Sequence, residues 1–219
     1  MHVDTSPKLG KSNSRTLAAY FVELLRERIA GLESDYLDLS VDTPPHVTRD
    51  FAVATYTPEP ERTPEMKATL AASDALCQRL LNADALLFSL PMYNWSMPSA
   101  FKAFIDAIVR TNITYKYVDG KYVGQLSRQK VLFVTSRGVD LRPGTPWAHY
   151  DALTPALRAA FGFIGVADPK FVDAQPMQFA DQEARAAGYA RARTELAVVA
   201  DEWAGAFLRP AAMDFRKSA

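Results

Sequence analysis

Two short apolar runs, set between longer amphipathic segments, constrain most strongly how this chain of 219 residues can fold. The runs cover residues 85–90 and 131–134, and neither contains a charged side chain. Strands that are apolar on both faces are typical of a parallel sheet covered by helices on each side. The pattern therefore predicts an α/β fold with a five-stranded parallel sheet and helices on both faces.

The rest of the chain supplies the other elements of this fold. We predict three further strands, at residues 2–5, 34–39 and 171–172, of which the first is short. Apolar residues at helical spacing predict helices over residues 13–30, 64–82, 98–108, 153–161 and 181–206. Five prolines within residues 42–64 predict a long loop there. We expect one domain over residues 1–207 and a mobile tail over residues 208–219.

Charge and cysteine content exclude several classes of function. Lys plus Arg and Asp plus Glu each total 25, so the chain lacks the basic excess typical of nucleic-acid partners or anionic membrane surfaces. Cys77 is the single cysteine, which excludes an intramolecular disulfide and a thiolate zinc site. The start has no signal-peptide pattern, and the uncharged stretch 85–101 is too short and too polar to span a bilayer. We expect a cytoplasmic protein.

No catalytic side-chain constellation is evident either. His2, His46 and His149 do not have the spacing of metal ligands, and Cys77 lies on the apolar stripe of a predicted helix, which is typical of an inert thiol. There is no nucleophile elbow of the Gly-x-Ser-x-Gly type. The sequence thus names no catalytic residue and no metal, and any redox or transfer chemistry would be that of a cofactor.

The loop after the first predicted strand has the composition of an anion site. Ser6, Ser12, Asn13 and Ser14 precede or open a helix, whose N-terminus carries free N–H groups and partial positive charge. Lys8 and Lys11 could add charge. The spacing matches neither a Walker A loop nor the dinucleotide fingerprint, and an ordinary capped loop explains the same residues about equally well.

Two other strand-end loops carry groups suited to a flat ligand. Met92, Tyr93, Asn94 and Trp95 come after the strand at 85–90, and Ser136, Arg137 and Gly138 come after the strand at 131–134. The alternative is that Tyr93 and Trp95 are peripheral core residues. Ligands in open α/β sheets bind at the carboxyl ends of the strands, so three such loops predict one cleft for a phosphorylated planar ligand. Flavin mononucleotide (FMN) fits that description.

The chain resembles the FMN-dependent NADH-azoreductases, a flavodoxin-like family of NADH:quinone oxidoreductases. The resemblance covers nearly the whole chain and rests on Pro-Met-Tyr-Asn at 91–94, Thr-Ser-Arg-Gly at 135–138 and Phe-Gly-Phe-Ile-Gly at 161–165. It implies that Ser6 and residues 12–14 bind the FMN phosphate. Residues 92–95 and 136–138 would then enclose the isoalloxazine ring.

The resemblance also implies the reaction and the assembly. Family members are homodimers with flavin sites at the interface. They pass two electrons from NADH to quinones or azo compounds by a ping-pong mechanism, and the choice between NADH and NADPH stays open. Aromatic side chains would line the substrate slot, and the candidates are Tyr115, Tyr117, Phe161 and Phe163.

Two features depart from the family pattern. Val139 stands where relatives usually have a second glycine, which would shift or narrow the ring pocket. The first strand is shorter than in relatives, and we expect a short interior strand to weaken stability and FMN retention. A misplaced start codon is one explanation for that length.

Two other functions are compatible with the fold. A flavodoxin-type electron carrier would bind FMN without a substrate of its own, but such carriers dock through acidic faces, which the 25-to-25 charge balance disfavours. An interaction protein that has lost the flavin is the third hypothesis, since a fold alone does not determine a function.

Overall fold

The structure, a computed structural model, describes residues 1–208. It contains seven strands and six α-helices within those residues. In chain order the elements are β1 (His2–Asp4), α1 (Asn13–Arg28), β2 (Tyr36–Asp38), α2 (Arg49–Tyr56), α3 (Pro64–Asn82), β3 (Ala85–Pro91), α4 (Ser99–Ile108), β4 (Tyr115–Val118), β5 (Lys121–Gly124), β6 (Lys130–Ser136), α5 (Leu153–Phe163), β7 (Lys170–Ala174) and α6 (Gln182–Leu208).

Five of the strands form a parallel sheet in the order β2-β1-β3-β6-β7. This is the flavodoxin-like strand order, in which the chain reverses its winding direction between β1 and β3. The register places Val3 beside Phe88 and Leu87 beside Leu132. The predicted five-stranded parallel sheet is confirmed, as is the short first strand of three residues.

Side chains of the central strands point alternately to the two faces of the sheet, and each face has its own apolar core. Phe88 and Phe133 point to one face and pack with Phe101 of α4. Leu87 and Leu132 point to the other and pack under α1 and α6. Burial on both faces explains why β3 and β6 are apolar runs without alternation.

Side-chain caps fix the starts of α3 and α1. Thr63 accepts a hydrogen bond from the Met66 N–H, and Pro64 occupies the first helical position of α3. Ser12 caps α1 in the same way by accepting from the Arg15 N–H. Both caps fix where the chain turns from loop to helix, and the second lies at the carboxyl end of β1.

The prediction of one long loop over residues 42–64 is wrong. This segment contains α2 and a short 3-10 turn at Glu59–Glu61. Its prolines flank the eight residues of α2 without interrupting them, and Thr48 caps the helix by accepting from the Phe51 N–H. The β-branched Val53 and Thr55 lower helix propensity, so packing against α3 decides the conformation.

The hairpin of β4 and β5 is an element that the sequence pattern does not predict. Its strands pair antiparallel, apart from the main sheet. Gly124 at its end packs backbone to backbone against Gly165, which lies just after α5 and has a φ of +112°. The Leu126 N–H donates to the Ile164 oxygen at 2.8 Å, so the hairpin is fastened to the end of α5.

Two boundary expectations concern the C-terminal part of the chain. Leu208 belongs to α6, whereas the sequence pattern predicts that the tail begins there. The rest of the predicted tail, residues 209–219, lies outside the described residues. Within residues 1–208, no helix combines the length and the apolar character that crossing a membrane requires.

Candidate functional site

Loops at the carboxyl ends of four parallel strands meet around one cleft of about 410 Å³. The loop after β1 forms one end, and the loops after β3, β6 and β7 form the rest. The lining residues are Ser6, Lys8, Lys11, Ser12, Asn13, Pro91, Met92, Tyr93, Ser136, Arg137, Gly138, Met177 and Gln178. The three predicted strand-end loops are therefore brought together at the switch point of the sheet.

The first end of the cleft consists of hydroxyl groups and a helix N-terminus. Ser12 caps α1, and its Oγ lies 3.2 Å from the Oγ of Ser14. The Oγ of Ser6 accepts from the Lys8 N–H at 3.3 Å. Unpaired N–H groups and the helix dipole make such a place favourable for an anion.

The loop after β3 is a tight two-residue turn. Tyr93 and Ser96 exchange two backbone hydrogen bonds, with N to O distances of 2.9 and 3.0 Å. The two central residues, Asn94 and Trp95, have φ values of +47° and +71°. Asn tolerates this left-handed region, but a tryptophan there is strained, and such strain is concentrated at functional sites.

The loop after β6 is held by hydrogen bonds from both sides. The Met92 N–H donates to the Ser136 oxygen at 2.8 Å, which joins it to the loop after β3. The Arg137 N–H donates to the Ala174 oxygen, and the Met177 N–H donates to the Arg137 oxygen. These backbone bonds fix the position of residues 136–138, which line the cleft.

The Arg137 side chain is buried behind the cleft, with 2% of its surface exposed. Its Nη1 pairs with Asp151 at 2.8 Å and its Nη2 with Asp173 at 3.1 Å. Burial raises the pKa of Asp173, against the opposing charge of Arg137. Burial alone would also raise the pKa of Asp151, but hydrogen bonds from Thr154 and Arg137 hold that pKa below its ordinary value.

Three of the predicted cofactor residues are not lining residues. Ser14 is fully buried beneath Ser12, so its hydroxyl supports the loop from behind. Asn94 and Trp95 lie at the tip of the turn, and the Trp95 ring stacks on Tyr150 at 4.7 Å. Val139 is half-buried next to the cleft and does not line it.

The segment after β7 contributes to the cleft, although the sequence reasoning did not include it. Met177 and Gln178 line the cleft, and the Gln178 N–H donates to the Gly138 oxygen. A signal for this segment exists in the sequence, because it too comes after a parallel strand, and all such strands end at the same edge of the sheet. The predicted strand at 171–172 is only two residues long, which makes the loop behind it easy to overlook.

Three of the four predicted slot residues form one aromatic cluster with Tyr122. The Tyr115 ring lies 4.7 Å from that of Phe163, and the Tyr117 ring lies 5.0 Å from that of Tyr122. The structure places the fourth elsewhere. Phe161 is fully buried among Phe88, Phe101 and Phe133, so its assignment to a substrate slot is corrected to the apolar core.

Cys77 is buried and adds no reactive group to the site. Its Sγ lies 3.6 Å from the Ile108 oxygen, and burial raises the pKa of the thiol to about 12. Among residues 1–208, no group of three or more His, Cys, Asp or Glu side chains is arranged to hold a metal ion. His2 contacts Asp4, with 3.1 Å between Nε2 and Oδ1.

The cleft combines an end suited to an anion with a part formed by Met92, Tyr93 and Gly138. A Cβ on Gly138 would make an ordinary van der Waals contact with the Phe179 ring at 3.4 Å, so packing alone does not require glycine there. Such an arrangement can bind a phosphate and orient a planar ring on one ligand. No hydroxyl among the lining residues is hydrogen-bonded to a histidine or a carboxylate, so none is activated as a nucleophile for covalent chemistry.

Comparisons with known proteins agree with this geometry. A family model described as a flavodoxin-like fold matches residues 1–198. A protein named FMN-dependent NADH:quinone oxidoreductase from Nostoc sp. is 38% identical over 204 residues, which cover 93% of this chain and 98% of the relative. One of the same name from Nostoc punctiforme is 35% identical and covers 90% of this chain and 97% of its own length.

Solved structures are similar as well. An azoreductase from Bacillus anthracis superposes with a TM-score of 0.83 at 22% identity, covering 92% of this chain and 97% of that one. An FMN-dependent NADH-azoreductase from Bacillus anthracis, solved in complex with FMN, gives a TM-score of 0.81 at 23% identity and covers 93% and 98% of the two chains. At these identities the similarity shows a shared fold.

Proposed function

The chain belongs to the family with a flavodoxin-like fold whose model matches residues 1–198, and on that premise we propose that it is an FMN-dependent oxidoreductase. It transfers two electrons from NADH or NADPH to quinones and azo compounds by a ping-pong mechanism. The relatives that support this activity are named FMN-dependent NADH:quinone oxidoreductase and match more than nine-tenths of their own length.

The observation that carries the proposal is the convergence of the strand-end loops on one cleft. Its volume of about 410 Å³ lies within the range of small-molecule sites, which is roughly 300–1,000 Å³. The end formed by Ser6, Ser12 and Asn13 offers hydroxyl and N–H donors suited to a phosphate. Met92, Tyr93 and Gly138 offer apolar surface and backbone polar groups suited to a ring.

The reaction chemistry belongs to the cofactor. Bound FMN supplies hydride transfer, because its ring can accept two electrons from a reduced nicotinamide and pass them to an acceptor. The chain would bind and orient the flavin: Ser6, Ser12 and Asn13 would hold the phosphate end, and Met92, Tyr93 and residues 136–138 would hold the ring. Donor and acceptor would bind in turn at one place beside the cleft, which would make the mechanism ping-pong.

The aromatic cluster of Tyr115, Tyr117, Tyr122 and Phe163 belongs to the substrate slot of a homodimer in this proposal. Tyr117 and Tyr122 are exposed by 63% and 64%, and Val118 and Val123 on the same hairpin are exposed by about half. A two-stranded hairpin with this much apolar surface is marginally stable alone. Contact with a second copy would cover it.

A spectroscopic titration tests the flavin assignment. The purified protein is titrated with FMN, reduced anaerobically with NADH, and then given menadione or an azo dye. The proposal expects a protein-bound flavin spectrum, bleaching by NADH, and recovery of the oxidised spectrum when the acceptor is added. Absence of flavin binding would favour the interaction protein, and a flavin that NADH does not reduce would favour the electron carrier.

Sedimentation tests the homodimer separately. We expect a species of twice the 24.2 kDa chain mass, which Tyr122→Glu shifts towards the monomer. Val198→Glu is the matched control, because Val198 is 62% exposed on α6 and is not part of the hairpin. A wild-type protein that sediments as a monomer at micromolar concentration would contradict the dimer.

A further inference from the structure

A largely buried arginine fastens the phosphate loop, residues 6–14, to the sheet. Arg15 lies in the first turn of α1, and its side chain is 10% exposed. Its Nε donates to the backbone oxygen of Ser6 at 2.7 Å. The same residue gives its backbone N–H to the Oγ of Ser12 at 3.4 Å. Arg15 thus contacts the loop at its beginning and near its end.

The other four donors of the guanidinium are also used. Nη1 donates to Asp4 Oδ2 at 3.1 Å and to the Tyr36 hydroxyl at 2.9 Å. Nη2 donates to Asp38 Oδ1 at 2.6 Å and to Ser40 Oγ at 3.1 Å. An arginine side chain has five N–H donors, so all five have partners within the protein. None is left to point at a ligand.

The acceptors of Arg15 are themselves held in place. Burial raises the pKa of Tyr36 to about 12, so its hydroxyl stays protonated and donates to Asp4 Oδ2 at 2.9 Å. The Ser40 hydroxyl donates to Asp38 Oδ1 at 2.7 Å. Two carboxylates surround one guanidinium, and His2 contacts Asp4, so the network has no net positive charge in either protonation state of His2. The network therefore brings no positive charge to the phosphate loop.

We propose that Arg15 is a positioning residue for the cofactor phosphate loop, and that the countercharge for the phosphate comes from Lys8 and Lys11. Both lysines line the cleft and are exposed. Arg15 fixes the Ser6 carbonyl, so that the loop hydroxyls and the α1 N-terminus are held ready for the phosphate. The inference rests on the proposed function, because it assumes that the cleft binds FMN.

Binding of FMN and of riboflavin, which lacks the phosphate, separates the two roles. Dissociation constants are measured by fluorescence quenching at several salt concentrations for the wild type, Arg15→Lys and the double variant Lys8→Gln/Lys11→Gln. For Arg15→Lys we expect FMN binding to weaken about tenfold, because three ammonium donors cannot replace the fork of five. Its salt dependence should equal that of the wild type.

The double lysine variant should behave differently. We expect FMN binding to weaken about tenfold at low salt and its salt dependence to flatten, since exposed charges are screened by ions. Riboflavin binding should change less than about twofold in either variant, since riboflavin makes no phosphate contact. As a control, the melting temperature of the double lysine variant is compared with that of the wild type, and equal values show that the fold is intact.

Three outcomes would overturn the inference. A reduced salt dependence in Arg15→Lys would mean that Arg15 itself contacts the phosphate. An equal loss of FMN and riboflavin in Arg15→Lys would mean a general structural role. An unaltered salt dependence in the lysine variant would remove Lys8 and Lys11 from the site. A wild type that binds neither flavin would instead refute the proposed function.

A milder variant keeps the Arg15 role testable if Arg15→Lys does not fold. Ser40→Ala removes one acceptor of the guanidinium and changes no charge. We expect FMN binding to weaken two- to threefold, with riboflavin binding and the salt dependence as in the wild type. FMN binding equal to that of the wild type in Ser40→Ala would count against the network as the source of loop positioning.

Discussion

Replacing Gly124 by alanine is expected to destabilise the protein through a clash between two backbones. An added Cβ would lie 2.1 Å from the Gly165 nitrogen and 2.4 Å from its Cα. Neither atom belongs to a flexible side chain, so the β4–β5 hairpin and the end of α5 must separate. The Leu126 N–H to Ile164 oxygen bond, which spans the same contact, would be strained by that movement.

Two effects set the magnitude of the loss. Overpacking in a tight interior typically costs about 1–3 kcal/mol. Weakening a backbone bond at the fully buried Leu126 adds about 1 kcal/mol. We expect a total loss of about 3 kcal/mol in the free energy of unfolding. For a chain of this size that corresponds to a melting temperature lower by about 6–12 °C.

Gly162→Ala is the matched control for this variant. Gly162 lies in the last turn of α5, and a Cβ there meets no atom within 4 Å. Alanine in a helix is favoured over glycine, so we expect a gain of about 0.5–1 kcal/mol. Thermal unfolding monitored by circular dichroism compares both variants with the wild type.

A second measurement relates the contact between Gly124 and Gly165 to use of the quinone acceptor. The hairpin carries Tyr115 and Tyr122, whereas the loops that line the cleft lie elsewhere. Gly124→Ala should therefore raise the KM for the quinone acceptor and leave the FMN dissociation constant within about twofold of the wild type. A melting temperature within about 2 °C of the wild type for Gly124→Ala would refute the backbone contact.

Three further predictions concern single residues. Asn94→Ala should lower the free energy of unfolding by about 1 kcal/mol because the φ of Asn94 is +47°, whereas Asn94→Gly should not lower it. If the Asn94 amide contacts the flavin ring, both variants weaken FMN binding. The control Asn112→Gly, at a φ of +62° outside the cleft, leaves FMN binding unchanged. The pKa of Asp173 is raised from its ordinary 3.8, so the folded state binds its proton more tightly and this stability is lost as pH rises above that value. Asp173→Asn should flatten that decline in urea unfolding measured upwards from about pH 4, and an unchanged slope would count against it. Cys77, with a pKa of about 12, should resist a thiol reagent at about pH 8 until urea unfolds the chain, and rapid labelling of the native protein would contradict its burial.

Local rules account for most of the fold. The apolar runs at β3 and β6 are buried on both faces, and Thr63 with Pro64 starts α3 at the predicted residue. The rules fail for α2, where β-branched residues and flanking prolines mask a helix that packing stabilises. They also fail for Phe161, because a phenylalanine in a helix has the same periodicity whether it faces a core or a slot.

The site is predictable at the level of loops and not at the level of side chains. Strand order predicts that loops after β1, β3 and β6 converge, and the cleft contains residues from each. Nothing in the local sequence indicates the direction of Arg137, whose guanidinium turns away to Asp151 and Asp173. Apart from the Nε bond to Thr135, the guanidinium contacts join residues 14 or more positions apart, and no local pattern reports such contacts.

Arg137 and Arg15 share an arrangement that stability alone does not explain. Each is at least nine-tenths buried, each is bound by two aspartates, and each lies directly behind a loop that lines the cleft. The free energy lost when such ions leave water is about as large as the free energy gained from their pairing, so buried ion pairs contribute little to stability. Their planar donors instead hold several acceptors in fixed positions at once. An apolar residue in either place could also be buried. It could not hold the Ser6 carbonyl, as Arg15 does, or connect β6, β7 and the start of α5, as Arg137 does. A cleft built from loops needs those attachments to keep one shape.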